Sequence, residues 1–102
     1  MSVKMINTNS FQQEVMQSST PVLVDFFATW CGPCKMQSPI VDELSEKHPE
    51  VKFCKLDVDQ SPQIAADYQV MSIPTLILFK NGKALHKVVG LQSKEALEQL
   101  IS

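Results

Sequence analysis

The sequence predicts one α/β domain over residues 1–102: a central mixed parallel/antiparallel sheet of about five strands, flanked by about four helices on both faces. Three observations predict it. Apolar runs rich in β-branched and aromatic residues alternate with stretches of helical period, the pattern of parallel strands joined by crossover helices. Asn81-Gly82 separates the last two strand-like runs and marks a tight hairpin, which adds an antiparallel edge. A chain of 102 residues buries roughly two-thirds of its unfolded surface, so it folds without a disulfide or metal staple.

Taken in order, residues 3–7 read as a short first strand. Ser10 then offers an N-cap hydroxyl, Gln13 completes a capping box, and Phe11 and Val15 share a helical face. The breaker cluster Ser18-Ser19-Thr20-Pro21 ends that helix. Residues 22–28 are almost continuously apolar, as in a central strand covered on both faces. After the turn Trp30-Cys31-Gly32-Pro33-Cys34, a helix is expected over 35–48, with Met36, Ile40 and Leu44 as its stripe and a kink at Pro39. His48-Pro49 stops it. Residues 51–58 form a second buried strand, and a short helix follows through Ile64, Ala65 and Ala66 to about Tyr68. Ile73-Pro74 leads into a strand over 75–79, and the hairpin returns over 84–89 to Gly90. Ser93 begins a last helix with Ala96, Leu97, Leu100 and Ile101 on one face.

Composition narrows the function classes. Hydrophobic residues make up 44% of the chain, which argues against disorder. The net charge is −2 and no basic run occurs, so no nucleic-acid partner is expected. All nine basic residues are Lys, which argues weakly against a phosphate clamp. The first residues hold no apolar signal region, and no apolar run of about 18 residues occurs. A soluble, cytoplasmic protein with no membrane partner is therefore expected. An odd count of three cysteines does not suit a secreted disulfide framework.

The chemistry concentrates where a strand feeds a helix. A helix N-terminus carries unpaired N–H groups and partial positive charge, which stabilise a thiolate and lower its pKa. Cys31 at the helix entrance is thus suited to attack a disulfide, and Cys34, one turn in and more enclosed, to resolve the product. Pro33 suits a first helical turn, and Gly32 leaves backbone that a partner can approach. The alternative for the pair is half of a zinc site. Zinc needs two further ligands, and only Cys54, His48 and His86 are candidates, none in a second C-x-x-C.

Other residues carry two readings each. Cys54, alternating with Phe53 in a strand, reads as a buried small hydrophobe rather than a regulatory thiol. Asp25 lies within an apolar run, where burial raises a carboxylate's pKa; it is either functional or half of an ion pair with Lys55. Lys55 is otherwise a strand lysine with its head in water. Trp30 is a contact anchor or core, and Gly90 a strand terminator or a point of close approach. Met71 reads as gap filler; His48 and His86 read as solvated and without a role.

With Trp-Cys-Gly-Pro-Cys-Lys placed after a strand containing Asp25-Phe26-Phe27-Ala28, the chain resembles the thioredoxin family over nearly its whole length. Phe11, Pro39, Lys55, Ile73-Pro74-Thr75, Asn81-Gly82 and Gly90 match in type and order. The resemblance implies the thioredoxin fold and a protein-disulfide reductase, a thiol-disulfide oxidoreductase cycling through a Cys31–Cys34 disulfide. It implies that Asp25 removes the Cys34 proton through water, and that Lys55 sits near this Asp and modulates it. It implies a cis Ile73–Pro74 bond facing the cysteines, where a bare X-Pro bond would be expected trans. Trp30, Gly32, Pro33, Ile73, Pro74 and Gly90 would line the groove for disulfide-containing target proteins, with the Ile73 backbone pairing with extended substrate. No metal or bound cofactor is implied; electrons would come from NADPH through a flavoprotein thioredoxin reductase, to a monomer. Phe27, Met71-Ser72 and Leu91-Gln92 depart from the family around the groove and bear on partner choice. An oxidase or isomerase would favour a His between the cysteines, and a non-redox scaffold subunit would not need them; both are rival readings.

Overall fold

Strand β2 (Val22–Phe27) is the middle of a five-stranded sheet in the computed structural model, which describes residues 3–102. Met1 and Ser2, at the start of the expected domain, lie outside the described residues. The spatial order is β1 (Val3–Ile6), β3 (Lys52–Asp57), β2, β4 (Thr75–Lys80), β5 (Lys83–Val89). The β1–β3 and β3–β2 pairs are parallel; β2–β4 and β4–β5 are antiparallel. The sheet therefore changes direction at β4, one strand before the hairpin. The connection between β3 and β4 carries the short helix α3 (Pro62–Asp67), and it does not return the chain to the starting end of β3.

The first helix, α1 (Thr8–Phe11), starts earlier than expected and continues as one π-helical turn over Gln12–Met16. Asn7, not Ser10, is its N-cap. The Asn7 Oδ1 accepts the N–H groups of Asn9 and Ser10 at 2.9 and 3.0 Å, and Ser10 Oγ accepts the Asn7 N–H at 3.0 Å. Ser10 thus closes the capping box from its far end, because the chain turns into a helix directly on leaving β1.

Helix α2 (Gly32–Lys47) is continuous, with Pro39 inside it. Its buried side is Cys34, Gln37, Val41, Leu44 and Ser45, whereas Met36 is 61% exposed. Of the expected stripe, Leu44 is buried and Ile40 packs partly buried against the core, while Met36 falls off a buried face centred about one residue, or 100°, away. Cys34 sets that register: positions 34, 37, 41 and 44 follow the three- and four-residue spacing of one face. The last helix, α4 (Lys94–Ile101), begins as expected, with Ser93 Oγ accepting the Ala96 N–H at 3.1 Å.

Alternation along the strands gives each sheet face its own core. Phe11, Val15 and Ile64 pack on Val24, Phe26, Leu56 and Phe79 on one face; Val41, Leu44 and Leu97 pack on Leu23, Phe53, Leu76 and Leu78 on the other. The hairpin has the expected backbone, with φ of 53° at Asn81 and 77° at Gly82. A Cβ on Gly82 would sit 3.0 Å from the Met16 carbonyl oxygen, so this turn excludes a side chain twice over.

Candidate active site

Beyond β2 the chain turns through residues 28–31, and the Cys31 N–H donates to the Ala28 carbonyl at 3.3 Å. Cys31 is extended, at φ −92° and ψ 115°, and is the N-cap of α2. Its sulfur accepts the Cys34 N–H at 3.2 Å, satisfying one of the orphan donors of the first turn. Pro33 in that turn has no N–H to satisfy. Cys31 and Cys34 are joined as a disulfide with Cα atoms 5.3 Å apart. They form a small cluster with Ala28, against which Phe27, Val58 and Ile73 pack. Cys34 was expected to be the more enclosed of the two, yet they are equally buried, at 5% and 4% exposure. What separates them is position: only the Cys31 sulfur sits at the helix entrance.

Across from it, the Ile73–Pro74 bond is cis, and the Ile73 carbonyl oxygen lies 3.8 Å from Cys31 Sγ. The Pro74 carbonyl accepts the Gly90 N–H at 2.8 Å, and Gly90 has φ 94°, a conformation that favours glycine. Residues 73, 74 and 90 are thus brought together, with 73 against the disulfide. Trp30 is 69% exposed and donates Nε1–H to Asp59 at 2.7 Å, which excludes the core reading. Gly32 is exposed, with open space where a Cβ would stand. Met71 is 90% exposed; it fills no gap, because it lies on the loop before Pro74 rather than on a packed element.

Asp25 is fully buried, and neither carboxylate oxygen meets a hydrogen-bond partner among the described residues. Burial pushes its pKa up to about 7, against a smaller opposing pull from Lys55 and a further upward push from Asp42. The ion pair with Lys55 is absent. Lys55 stands opposite Asp25 in the β2–β3 register, but its ammonium donates to Ser38 Oγ and lies 5.0 Å from the Phe27 ring centre. Lys55 is therefore not a lysine with its head simply in water. A groove of about 340 Å³ runs alongside, lined by Phe27, Ala28, Thr29, Cys34, Lys35, Ser38 and Lys55.

Three residues passed over in the sequence have partners here. Gln37, fully buried, donates to the Gln92 carbonyl at 3.1 Å and accepts the Gln92 N–H at 2.7 Å, tying α2 to the chain just after Gly90. Its spacing of three from Cys34 was the usable signal. Ser38, four residues from Cys34, is the second. His48, expected to be solvated, lies between two carboxylates: Nδ1 is 3.0 Å from Glu50 and Nε2 is 3.3 Å from Glu98. The Glu50 and Glu98 carboxylates raise its pKa. Glu98 comes from α4, 50 residues away, which no local pattern reveals.

Cys54 is the buried small hydrophobe expected, its thiol pushed up to about 11 by burial. Among the described residues, no group of three or more His, Cys, Asp or Glu is arranged to hold a metal ion. No helix there is long and apolar enough to cross a membrane.

Comparison with known proteins agrees with this geometry. The thioredoxin family model matches residues 2–102. A thioredoxin of Rickettsia felis is 50% identical over 93 residues, covering 90% of this chain and 89% of the relative. A thioredoxin of Porphyra purpurea is 46% identical over 103 residues, covering 100% and 96%. A thioredoxin of Mycobacterium bovis is 50% identical over 94 residues, covering 91% and 81%.

Proposed function

Because the chain belongs to the thioredoxin family and is a thiol-disulfide oxidoreductase that reduces protein disulfides, we propose a division of labour among its site residues. Cys31 is the nucleophile. In the dithiol form its thiolate attacks one sulfur of a target disulfide, forming a mixed disulfide and releasing the other target sulfur as a thiolate that takes up a proton. Cys34 then loses its proton and attacks Cys31 Sγ. The mixed disulfide breaks, the second target thiol leaves, and the Cys31–Cys34 disulfide holds the oxidation. The carrying observation is the N-cap position of Cys31, whose sulfur already accepts the Cys34 N–H at 3.2 Å. A thiolate at that place is stabilised by the helix terminus.

Asp25 is the proton acceptor and donor for Cys34, acting through water, and Lys55 modulates it. The reading is supported by a buried carboxylate free of hydrogen bonds, with a pKa near working pH. Trp30, Gly32, Pro33, Ile73, Pro74 and Gly90 receive the target, an extended segment pairing with the Ile73 backbone. The 1–102 chain works as a single domain and a monomer in the cytoplasm. Thioredoxins bind no cofactor themselves; here NADPH supplies electrons through a flavoprotein thioredoxin reductase, which restores the dithiol.

Cys34→Ser tests the assignment. It should trap targets as mixed disulfides on Cys31, visible as adducts on non-reducing gels and lost with Cys31→Ser. Adducts that persist in Cys31→Ser, or none in Cys34→Ser, would reverse or remove the roles.

A further inference from the structure

We propose that Ser38 is a positioning residue for the redox site: its hydroxyl holds the Lys55 ammonium away from Asp25. The inference rests on the reading of Asp25 as the proton acceptor. Asp25 and Lys55 are register partners on adjacent parallel strands, and both side chains point to the α2 side of the sheet. Neighbouring strands are about 4.8 Å apart, so a four-carbon lysine stem reaches such a carboxylate with ease. Yet both Asp25 oxygens are without a partner, and the ammonium is found on Ser38 Oγ and over the Phe27 ring. Two acceptors compete for one ammonium, and the serine hydroxyl has it.

The consequence is chemical. An ammonium in contact with Asp25 would hold it ionised well below neutral pH, where it neither takes nor returns a proton at working pH. Parked on Ser38, the same charge acts only at longer range. Ser38 is one helical turn beyond Cys34 and lines the same groove as Cys34, Lys35 and Lys55. The charged groups around Asp25 are Lys55 from β3, and Asp42 from α2, which opposes ionisation; β4 presents Leu76 opposite it.

The test is the titration of the Asp25 carboxyl carbon followed by NMR in the oxidised protein. Ser38 is half-exposed within a helix, so Ser38→Ala leaves the fold intact. Ser38→Ala should lower the Asp25 midpoint by about one pH unit, a tenfold change in its acid–base ratio. Ser38→Thr keeps the hydroxyl and should restore it. Lys55→Met should raise the midpoint, and Ser38→Ala added to Lys55→Met should do nothing more. A midpoint that stays or rises in Ser38→Ala while Lys55→Met moves it overturns the role of Ser38 alone. A midpoint unmoved by Ser38→Ala and Lys55→Met alike overturns the proposal together with the modulation of Asp25 by Lys55.

Discussion

On the α1 and α3 side of the sheet, Phe11, Tyr68 and Phe79 pack ring against ring at 5.1 to 5.7 Å, and Cys54 is buried among aliphatic side chains. On the α2 and α4 side, the buried set includes Asp25, Gln37 and Ser45, and two cysteines sit at the entrance of α2. Residues of one type meet opposite fates on the two sides. The Cys54 thiol is pushed up to about 11 and stays protonated, while the Cys31 sulfur receives a backbone N–H from a helix terminus. The buried polar groups of the first side, Ser61 and Thr75, are hydrogen-bonded; Asp25 on the second is not. Both faces carry an apolar core, and the second adds one buried carboxylate whose missing partners cost stability.

Breaking the apolar side should have the largest effect on folding. Phe11→Ala should cost about 3–5 kcal/mol by denaturant unfolding, from lost transfer energy and the cavity left. The reduction potential of the Cys31–Cys34 pair should not move. If it moves, the two faces are coupled and the contrast fails.

Asp25→Asn breaks the other side with the opposite sign. Between about pH 4 and 7 the folded state keeps a proton on Asp25 that the unfolded chain has released, so stability falls as pH rises through that window. Above it, the ionised buried carboxylate costs up to roughly 4 kcal/mol, taken as about three pH units at 1.36 kcal/mol each. The variant should therefore be more stable than the parent above pH 7 and lose this pH dependence, yet turn over insulin disulfides more slowly. Unfolding curves at pH 5 and 8.5, with matched reduction assays, check both halves.

Smaller effects sharpen the picture. Gln37→Leu leaves the Gln92 N–H and carbonyl unpaired and should cost about 1–3 kcal/mol, with faster amide exchange at Gln92. His48→Gln should act least. The folded pKa of His48 is raised, so its contacts with Glu50 and Glu98 stabilise below the unfolded pKa and fade as pH rises through the folded one. The variant should lose a small step in Tm across that range.

Much of the fold is legible in local sequence because it follows from local physics. The apolar run 22–28, the Asn81-Gly82 turn and the Ser93 cap each state their conformation within a few residues. Cys31-Gly32-Pro33-Cys34 after a strand likewise announces thiols at a helix start. Errors of register came where two local signals competed: Ser10 as cap against Asn7, and Met36 against Gln37 on the face set by Cys34.

The sequence by itself determined the element order, the redox pair and the upward direction of the Asp25 pKa, since burial in an apolar run follows from composition and period alone. Only the tertiary structure decided which ammonium acceptor Lys55 takes, that Gln37 clasps Gln92 and that His48 bridges to Glu98. Those contacts join residues 17 to 55 positions apart. Their geometry depends on how helices dock on the sheet, and no local propensity encodes that.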